Sequence, residues 1–124
     1  MIKINKQGCT RTVLVLKNKV IKFPTLKSYE LFLCGLLANI REGQTYNYLK
    51  NRKDLAKVIR YNRFGIFLIM ERVDVCDNDE ALELFEFVNE KYKNDEFKEL
   101  MLSDCKPSNW GRKNGILVKI DYGD

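Results

Sequence analysis

The sequence contains no histidine among its 124 residues. Histidine is the one side chain whose ordinary pKa places its charge change close to neutral pH. Its absence excludes every mechanism that requires an imidazole as a base or as a metal ligand, and Ser-His-Asp and Cys-His catalysis are excluded with it.

Long apolar segments are also lacking. The first six residues, MIKINK, contain no run like that of a signal peptide. No stretch approaches the ~20 apolar residues that a membrane span requires. We therefore expect a cytoplasmic protein that has no membrane partner.

Cysteine and proline are few, with four and two copies. The cysteines are widely spaced and form no Cys-x-x-Cys pair, as their positions show: Cys9, Cys34, Cys76 and Cys105. In a cytoplasmic protein such thiols are expected to be reduced and structural, and a zinc site is not expected.

The composition is that of one globular domain with a net positive charge. Hydrophobic residues make up 45% of the chain, which suits a packed core. The net charge of +5 favours an anionic partner, but it does not choose among a nucleotide, a nucleic acid and an acidic protein.

Alternating apolar residues and turn signals predict the order of strands and helices. Strands are expected at residues 2–6, 12–17, 20–23, 53–61, 65–73 and 116–120. Helices are expected at residues 25–41, 80–92 and 95–102, with Thr25 as the first N-cap, Gly43 at the end of the first helix, and a loop at residues 104–111. The first helix has one apolar face, which such a helix normally turns to the core. Its members are Tyr29, Phe32, Leu33, Leu36, Leu37 and Ile40.

Two short motifs near the C-terminus carry the chemistry. They are DCKPSN at residues 104–109 and IDYG at residues 120–123. An Asp, a Lys two positions later and an Asn five positions later, followed by a strand that ends in Asp-x-Gly, is the arrangement of phosphoryl-transfer groups in kinase-like enzymes. Such groups can orient an attacking hydroxyl, neutralise charge on the phosphoryl group and hold Mg²⁺.

These motifs, together with VIK at residues 20–22, resemble the protein kinases. The chain is similar to compact kinase-like proteins of bacteria and phages and to aminoglycoside-phosphotransferase-like proteins. It departs from the kinase pattern at Ser103, where a histidine is usual, at Tyr122, where a phenylalanine is usual, and at Gly8, the single glycine of the expected glycine-rich loop.

The resemblance implies an α+β, truncated protein-kinase-like fold. It would contain an antiparallel sheet of about five strands with one packed helix, then helices and a catalytic-loop and strand unit. Residues 1–74 would form the small lobe of a single kinase-like domain. Residues 75–124 would be the remnant of the large lobe, without the C-terminal substrate lobe.

The resemblance also implies the catalytic and metal-binding residues. Asp104 would orient the acceptor hydroxyl, and Lys106 would offset the charge that develops on the phosphoryl group. Asn109 and Asp121 would hold Mg²⁺. Two unrelated surface turns would be the alternative interpretation of these segments.

For ATP, the resemblance implies that Lys22 contacts the α- and β-phosphates and pairs with a carboxylate on the first helix. Glu30 is preferred over Glu42, because Glu30 lies at the edge of the apolar face. The alternatives are a surface lysine and a solvated acid in the first helical turn. The remaining expected nucleotide contacts are Gly8, Thr10 and Arg11 in the loop, and Met70, Glu71 and Val73 at the adenine edge.

Two functions follow. The first is an Mg-ATP-dependent phosphotransferase that moves the γ-phosphate to a hydroxyl of a protein or a small molecule. The alternative is a non-catalytic, kinase-derived binding module that inhibits or regulates a protein partner. A homodimer is compatible with either function. Nucleic-acid binding is not expected, because the basic and tyrosine-rich stretch at residues 46–63 is typical of a solvated face.

Overall fold

The chain forms two compact units, and the sequence boundary between them follows Arg72. The computed structural model describes residues 3–5, 10–103 and 105–122. The second unit is Val73–Tyr122, and the first contains the residues before it. Within the described ranges, no helix is long and apolar enough to cross a membrane. Gly8 and Asp104 lie outside the described residues, as does Gly123 of the second motif.

The first unit is built on a five-stranded antiparallel sheet. Its strands are β1 (Lys3–Asn5), β2 (Arg11–Val15), β3 (Lys19–Pro24), β4 (Val58–Tyr61) and β5 (Leu68–Glu71). Their order across the sheet is β1-β2-β3-β5-β4. A short turn joins β2 to β3, and β5 inserts between β3 and β4. The sheet therefore has β1 and β4 as its edges.

One long helix, α1 (Tyr29–Leu49), packs on this sheet. Its N-cap is Ser28, whose side chain accepts a hydrogen bond from the Leu31 N–H at 3.2 Å. The predicted N-cap, Thr25, was wrong: its side-chain Oγ1 accepts from the Lys27 N–H at 3.4 Å, before the helix, which begins at Tyr29. The predicted end near Arg41 was also wrong, since the helix continues through Gly43.

Two glycines explain why α1 continues where sequence reasoning ended it. A Cβ on Gly43 would collide with the ring of Tyr61. A Cβ on Gly35 would collide with the Thr10 carbonyl oxygen and come within 2.8 Å of the Pro24 Cα. These glycines therefore permit close contact between the helix and the sheet, and Gly43 does not terminate the helix.

The buried face of α1 consists mainly of small and polar residues. Its members are Gly35, Ala38, Asn39, Glu42, Gly43 and Leu49. The apolar face expected to turn to the core is instead partly exposed, with Tyr29 at 78%, Leu33 at 41% and Leu37 at 50% exposure. The physical reason is the short distance between helix and sheet, which leaves no room for large side chains between them.

The second unit combines a three-stranded sheet with short helices. Its strands are β6 (Asp74–Val75), β7 (Trp110–Lys113) and β8 (Ile116–Lys119), in that order across the sheet. Its helices are α2 (Ala81–Tyr92) and α3 (Lys98–Leu102), with 3₁₀ turns at Asn78–Glu80 and Pro107–Asn109. The segment predicted as a loop thus contains a 3₁₀ turn and the start of β7.

A two-residue turn joins β7 to β8. Asn114 and Gly115 have φ angles of 52° and 79°, and Lys113 pairs with Ile116 across the turn. Asn-Gly readily adopts positive φ at both positions, as a tight hairpin requires. The predicted turn at residues 113–115 is confirmed.

An ion pair fixes the start of α2 to β7. Glu80 and Arg112 approach to 2.6 Å, and Arg112 Nη1 also donates to the Cys76 sulfur at 3.6 Å. The hydrogen bond from Arg112 lowers the pKa of Glu80 from its ordinary value of 4.5. Burial raises the pKa of the Cys76 thiol, so it stays protonated near neutral pH, as a structural thiol should.

Gly35→Ala should destabilise the first unit although alanine favours helix. The new methyl group would meet backbone atoms that cannot move aside, and overpacking of this kind costs about 1–3 kcal/mol. The free energy of unfolding in urea measures it. Cys34→Ala, at the exposed neighbouring position, is the matched control and should change stability by less than about 0.5 kcal/mol. A Gly35→Ala protein as stable as the wild type would contradict the close packing.

Glu80→Gln should lower stability near neutral pH and make no difference in acid. A carboxyl whose pKa is depressed in the folded state stabilises that state above its unfolded pKa, and the effect is lost as pH falls through the folded value. Urea midpoints at neutral pH and at about pH 3 measure the change. Glu86→Gln, at an exposed position of α2, should show no such pH dependence, and a Glu80→Gln difference that persists in acid would refute the linkage.

Candidate functional site

A buried cluster of charges lies between α1 and the sheet of the first unit. The Glu42 carboxylate, which is fully buried, accepts hydrogen bonds from Lys22 Nζ at 2.8 Å and from Arg11 Nη1 at 2.9 Å. Both cations contact the same oxygen, Oε1. Lys22 and Arg11 are 6% and 5% exposed, so all three charged groups are withdrawn from water.

Strand register explains why the two cations meet. Lys22 lies directly opposite Val13 in the β2–β3 ladder, so both side chains are on one face of the sheet. Arg11 is two residues before Val13 on the same strand and therefore shares that face. The alternation of the two strands thus directs Arg11 and Lys22 to the side that α1 covers.

Asn39 connects this cluster to the backbone of the sheet. Its Oδ1 accepts a hydrogen bond from Arg11 Nη1 at 3.1 Å. Its Nδ2 donates to the carbonyl oxygens of Lys22 at 3.0 Å and of Gly65 at 2.9 Å. Asn39 lies three residues before Glu42, which puts both on one face of the helix. Asn39 was not predicted from the sequence. Its only signal there was an amide side chain three positions before an acidic residue on the same helix.

The partner of Lys22 on α1 is Glu42, so the predicted pairing with Glu30 was wrong. Glu30 is exposed in the first turn of the helix. The two acids are twelve positions apart, which corresponds to roughly 18 Å along a helix axis. The preference for Glu30 assumed that the helix ended near Arg41 and that its buried face was apolar. Neither holds, and mid-helix polar residues face Lys22.

In the second unit, the two predicted metal ligands are held close together by backbone pairing. Ile120 N–H donates to the Asn109 carbonyl oxygen at 2.9 Å, which extends the β7–β8 ladder. Asp121 is the residue after Ile120, so it follows a strand end fixed to Asn109. Asn109 N–H in turn donates to the carbonyl oxygen of Lys106, an exposed residue, at 2.9 Å.

Lys119 is a further buried cation that sequence reasoning missed. Its Nζ donates to the carbonyl oxygens of Leu100 and Ser103, each at 2.7 Å, and to Ser103 Oγ at 3.0 Å. Carbonyl oxygens at the end of a helix attract a cation. Lys119 therefore bonds the C-terminal end of α3, and Ser103 just after it, to β8.

The two expected metal ligands, Asn109 and Asp121, are oxygen donors. Within the described residues, no group of three or more His, Cys, Asp or Glu side chains could hold a metal ion. Mg²⁺ is usually bound by one or two carboxylate or amide oxygens, and substrate phosphates and water complete its six ligands. Asn109 and Asp121 supply oxygens of this kind.

The remaining predicted nucleotide contacts have ordinary structural surroundings. Met70 is 2% exposed in the core of the first unit. Glu71 accepts a hydrogen bond from the Lys57 N–H at 2.9 Å, and Val73 is buried in the second unit. The Thr10 carbonyl oxygen binds the Thr25 N–H. Contact between these four residues and a nucleotide stays a prediction.

No protein-family model and no curated protein matches the chain. Among solved structures, the chain is similar to the streptomycin–ATP–APH(2″)-IIa ternary complex, an aminoglycoside phosphotransferase. The identity is 15% and the TM-score is 0.56, and the alignment covers 100% of this chain. This chain spans 66% of the length of that protein.

A likeness at this identity shows the fold alone. The expected α+β class, with antiparallel sheets and helices, is confirmed and is compatible with a kinase-like fold. Activity, substrate and ligands do not follow from it.

Glu42→Gln should be far more damaging than Glu30→Gln. Removing the carboxylate leaves two buried cations without their shared anion, and such losses cost about 3–5 kcal/mol. Glu30 is exposed, and its change should cost less than about 0.5 kcal/mol. The free energy of unfolding in urea is the measurement, and equal losses in the two variants would show that the buried pairing is absent.

Proposed function

We propose that this protein is an Mg-ATP-dependent phosphotransferase that transfers the γ-phosphate to a hydroxyl group of a protein or a small molecule. The buried Lys22–Glu42 pair carries the proposal. A lysine on β3 held by a carboxylate on the packed helix is the arrangement with which kinases hold the phosphates of ATP. The likeness to an enzyme that was solved with ATP supports the same ligand.

In this proposal, each residue of the cluster has a distinct task. Lys22 contributes a positive charge that binds phosphate oxygens. Glu42 fixes the direction of the lysine side chain, because a long flexible amine would otherwise sample many positions. Asn39 holds the β3 backbone at Lys22 against α1. Binding and orientation of the nucleotide are the main contributions a protein makes to phosphoryl transfer.

The second unit would supply the metal ligands and the acceptor site. Asn109 and Asp121 would hold Mg²⁺, which, when bound, neutralises the negative charge of the phosphates. Asp104 would accept a hydrogen bond from the acceptor hydroxyl and orient it. Lys106 would offset the charge that develops on the transferred group.

A non-catalytic module that binds a protein partner is the second candidate. The observation that favours it is the exposed apolar side of α1, formed by Tyr29, Leu33 and Leu37, together with exposed Leu26 before the helix. Exposed apolar patches often mark a protein interface. Under this alternative, partner binding would persist in a variant that cannot bind Mg-ATP.

Calorimetric titration with ATP, with and without Mg²⁺, tests the proposal. The wild type should bind ATP, and Mg²⁺ should strengthen the binding. Asp121→Asn should lose the benefit of Mg²⁺, because the substitution removes a charged oxygen ligand. We expect a loss of at least about tenfold in affinity, comparable to the loss of one charge-assisted contact.

Asp74→Asn is the matched control, since it makes the same change at an exposed position of the second unit. It should bind Mg-ATP as the wild type does. Failure of the wild type to bind ATP at millimolar concentration would refute the enzyme proposal and favour the binding module. Binding of ATP that is indifferent to Mg²⁺ would refute the role of Asp121.

A further inference from the structure

The side of α1 that points away from the sheet carries both apolar and charged residues. Leu33 and Leu37 are exposed there, and Glu30 and Arg41 are exposed before and after them on the same helix. At about 100° per residue, these four side chains fall within an arc of about 80° around the helix axis. We call this surface the outer face of α1.

The two charges of the outer face have no counterpart in their own chain. Among the residues that the structure describes, neither Glu30 nor Arg41 takes part in an ion pair. They are eleven positions apart, which is roughly 16 Å along a helix axis and too far for them to meet each other. Both charges are therefore open to a second molecule.

The outer face is complementary to itself when two copies of α1 run antiparallel. A two-fold axis then pairs each residue with the one equally far on the other side of the centre. Leu33 and Leu37 are centred on position 35, and Glu30 and Arg41 are centred between positions 35 and 36. One alignment thus places Leu33 against Leu37 of the second copy and Glu30 against its Arg41, and symmetry repeats both contacts.

The charges also select this orientation over the parallel one. A parallel pair would place Glu30 against Glu30 and Arg41 against Arg41, and opposed like charges are unfavourable. A partner with charge of one sign would satisfy only one of the two residues. A second copy of the chain satisfies both.

We propose that two copies of this chain form an antiparallel dimer through the outer faces of α1. Leucines form the centre of the contact, and reciprocal Glu30–Arg41 pairs form its ends. The inference goes beyond the proposed function and does not depend on ATP binding. Contact along one pair of helices lies at the small end of interface sizes, so we expect a reversible dimer with a dissociation constant of about 1–100 μM.

Charge reversal tests the orientation of the two helices. Glu30→Arg places like charges opposite one another at both ends of the dimer, and so does Arg41→Glu. Each should weaken dimerisation at least about tenfold. The double variant Glu30→Arg/Arg41→Glu has opposite charges at both ends again, and its dissociation constant should return to within about threefold of the wild-type value.

Mixing the two single variants gives a sharper result. Each variant pairs poorly with itself, but a mixed pair has opposite charges at both ends. An equimolar mixture should therefore dimerise as the wild type does. Binding of α1 to an unrelated protein predicts no such recovery.

Sedimentation velocity over about 5–500 μM protein measures the dimer. Leu37→Gln removes apolar contact at the centre and should weaken dimerisation at least about tenfold. Leu82→Gln is the matched control, because Leu82 is an exposed leucine of α2, and it should leave the dimer unchanged. Circular dichroism confirms that each variant keeps the fold.

Cys34 provides a second measurement, because it is exposed and lies beside the centre of the proposed contact. With helix axes about 8–10 Å apart, the two Cys34 side chains of a dimer would be roughly 10 Å apart, within reach of a short bismaleimide cross-linker. A cross-linked dimer should form from the wild type and from Cys105→Ser, and it should not form from Cys34→Ser.

A wild type that stays monomeric up to about 500 μM would overturn the inference, and so would a dimer that Glu30→Arg leaves intact. A mixture of the two single variants that stays monomeric would refute the antiparallel arrangement. Cross-linking that persists in Cys34→Ser would place the contact elsewhere on the chain and overturn it too. A dimer that is lost in each single charge variant and recovered in their mixture is the expected result.

Discussion

A carboxylate with no access to water can persist only where cations and hydrogen bonds replace its hydration. Glu42 is in that position, and the surrounding structure of the first unit meets its requirements. The alternation of β2 and β3 brings Arg11 and Lys22 to one face, and Asn39 completes the polar network from the helix. These side chains can bond directly across the interface because α1 lies close to the sheet. Close approach in turn requires glycine at positions 35 and 43.

The same constraint inverts the usual arrangement of an amphipathic helix. A helix normally buries its large apolar side chains, because that removes the most apolar surface from water. Here the gap between helix and sheet admits small residues and a hydrogen-bonded polar cluster. Leu33 and Leu37 consequently keep 41% and 50% of their surface in solvent. The site and the exposed apolar side of α1 thus have one common cause.

The sequence predicted correctly those features that depend on neighbouring residues. It predicted wrongly those that depend on how closely a helix and a sheet approach. Period-2 alternation and turn residues predicted individual strands and the Asn114-Gly115 turn, since both depend on neighbours in sequence. The sheet of about five strands was implied by the resemblance to kinases. The choice between Glu30 and Glu42 depended on which part of α1 crosses β3, and no local sequence pattern predicts where that crossing lies.

Glycine at position 43 had two meanings, helix end or close contact, and only the tertiary structure distinguishes them. Lys119 was unpredictable for a related reason. A lysine at a strand end is ordinary, and its role arises from carbonyl oxygens of Leu100 in α3 and of Ser103 just after it, 19 and 16 positions earlier in the chain. Asp104, the residue of the first motif assigned to the acceptor hydroxyl, lies outside the described residues, so its role stays a prediction.

The Asn114-Gly115 turn has a kinetic consequence. It joins β7, which follows Asn109, to β8, which ends two residues before Asp121. Closing this hairpin therefore brings the two residues together, and hairpin closure takes on the order of 1–10 μs. The charge cluster of the first unit instead unites residues 20 and 31 positions apart, and it requires a sheet and a helix to come together. Non-local contacts of that kind slow folding, because loop entropy is lost before the contacts form. Asn109 and Asp121 are therefore expected to come together early, and the charge cluster of the first unit to be completed among the last events of folding.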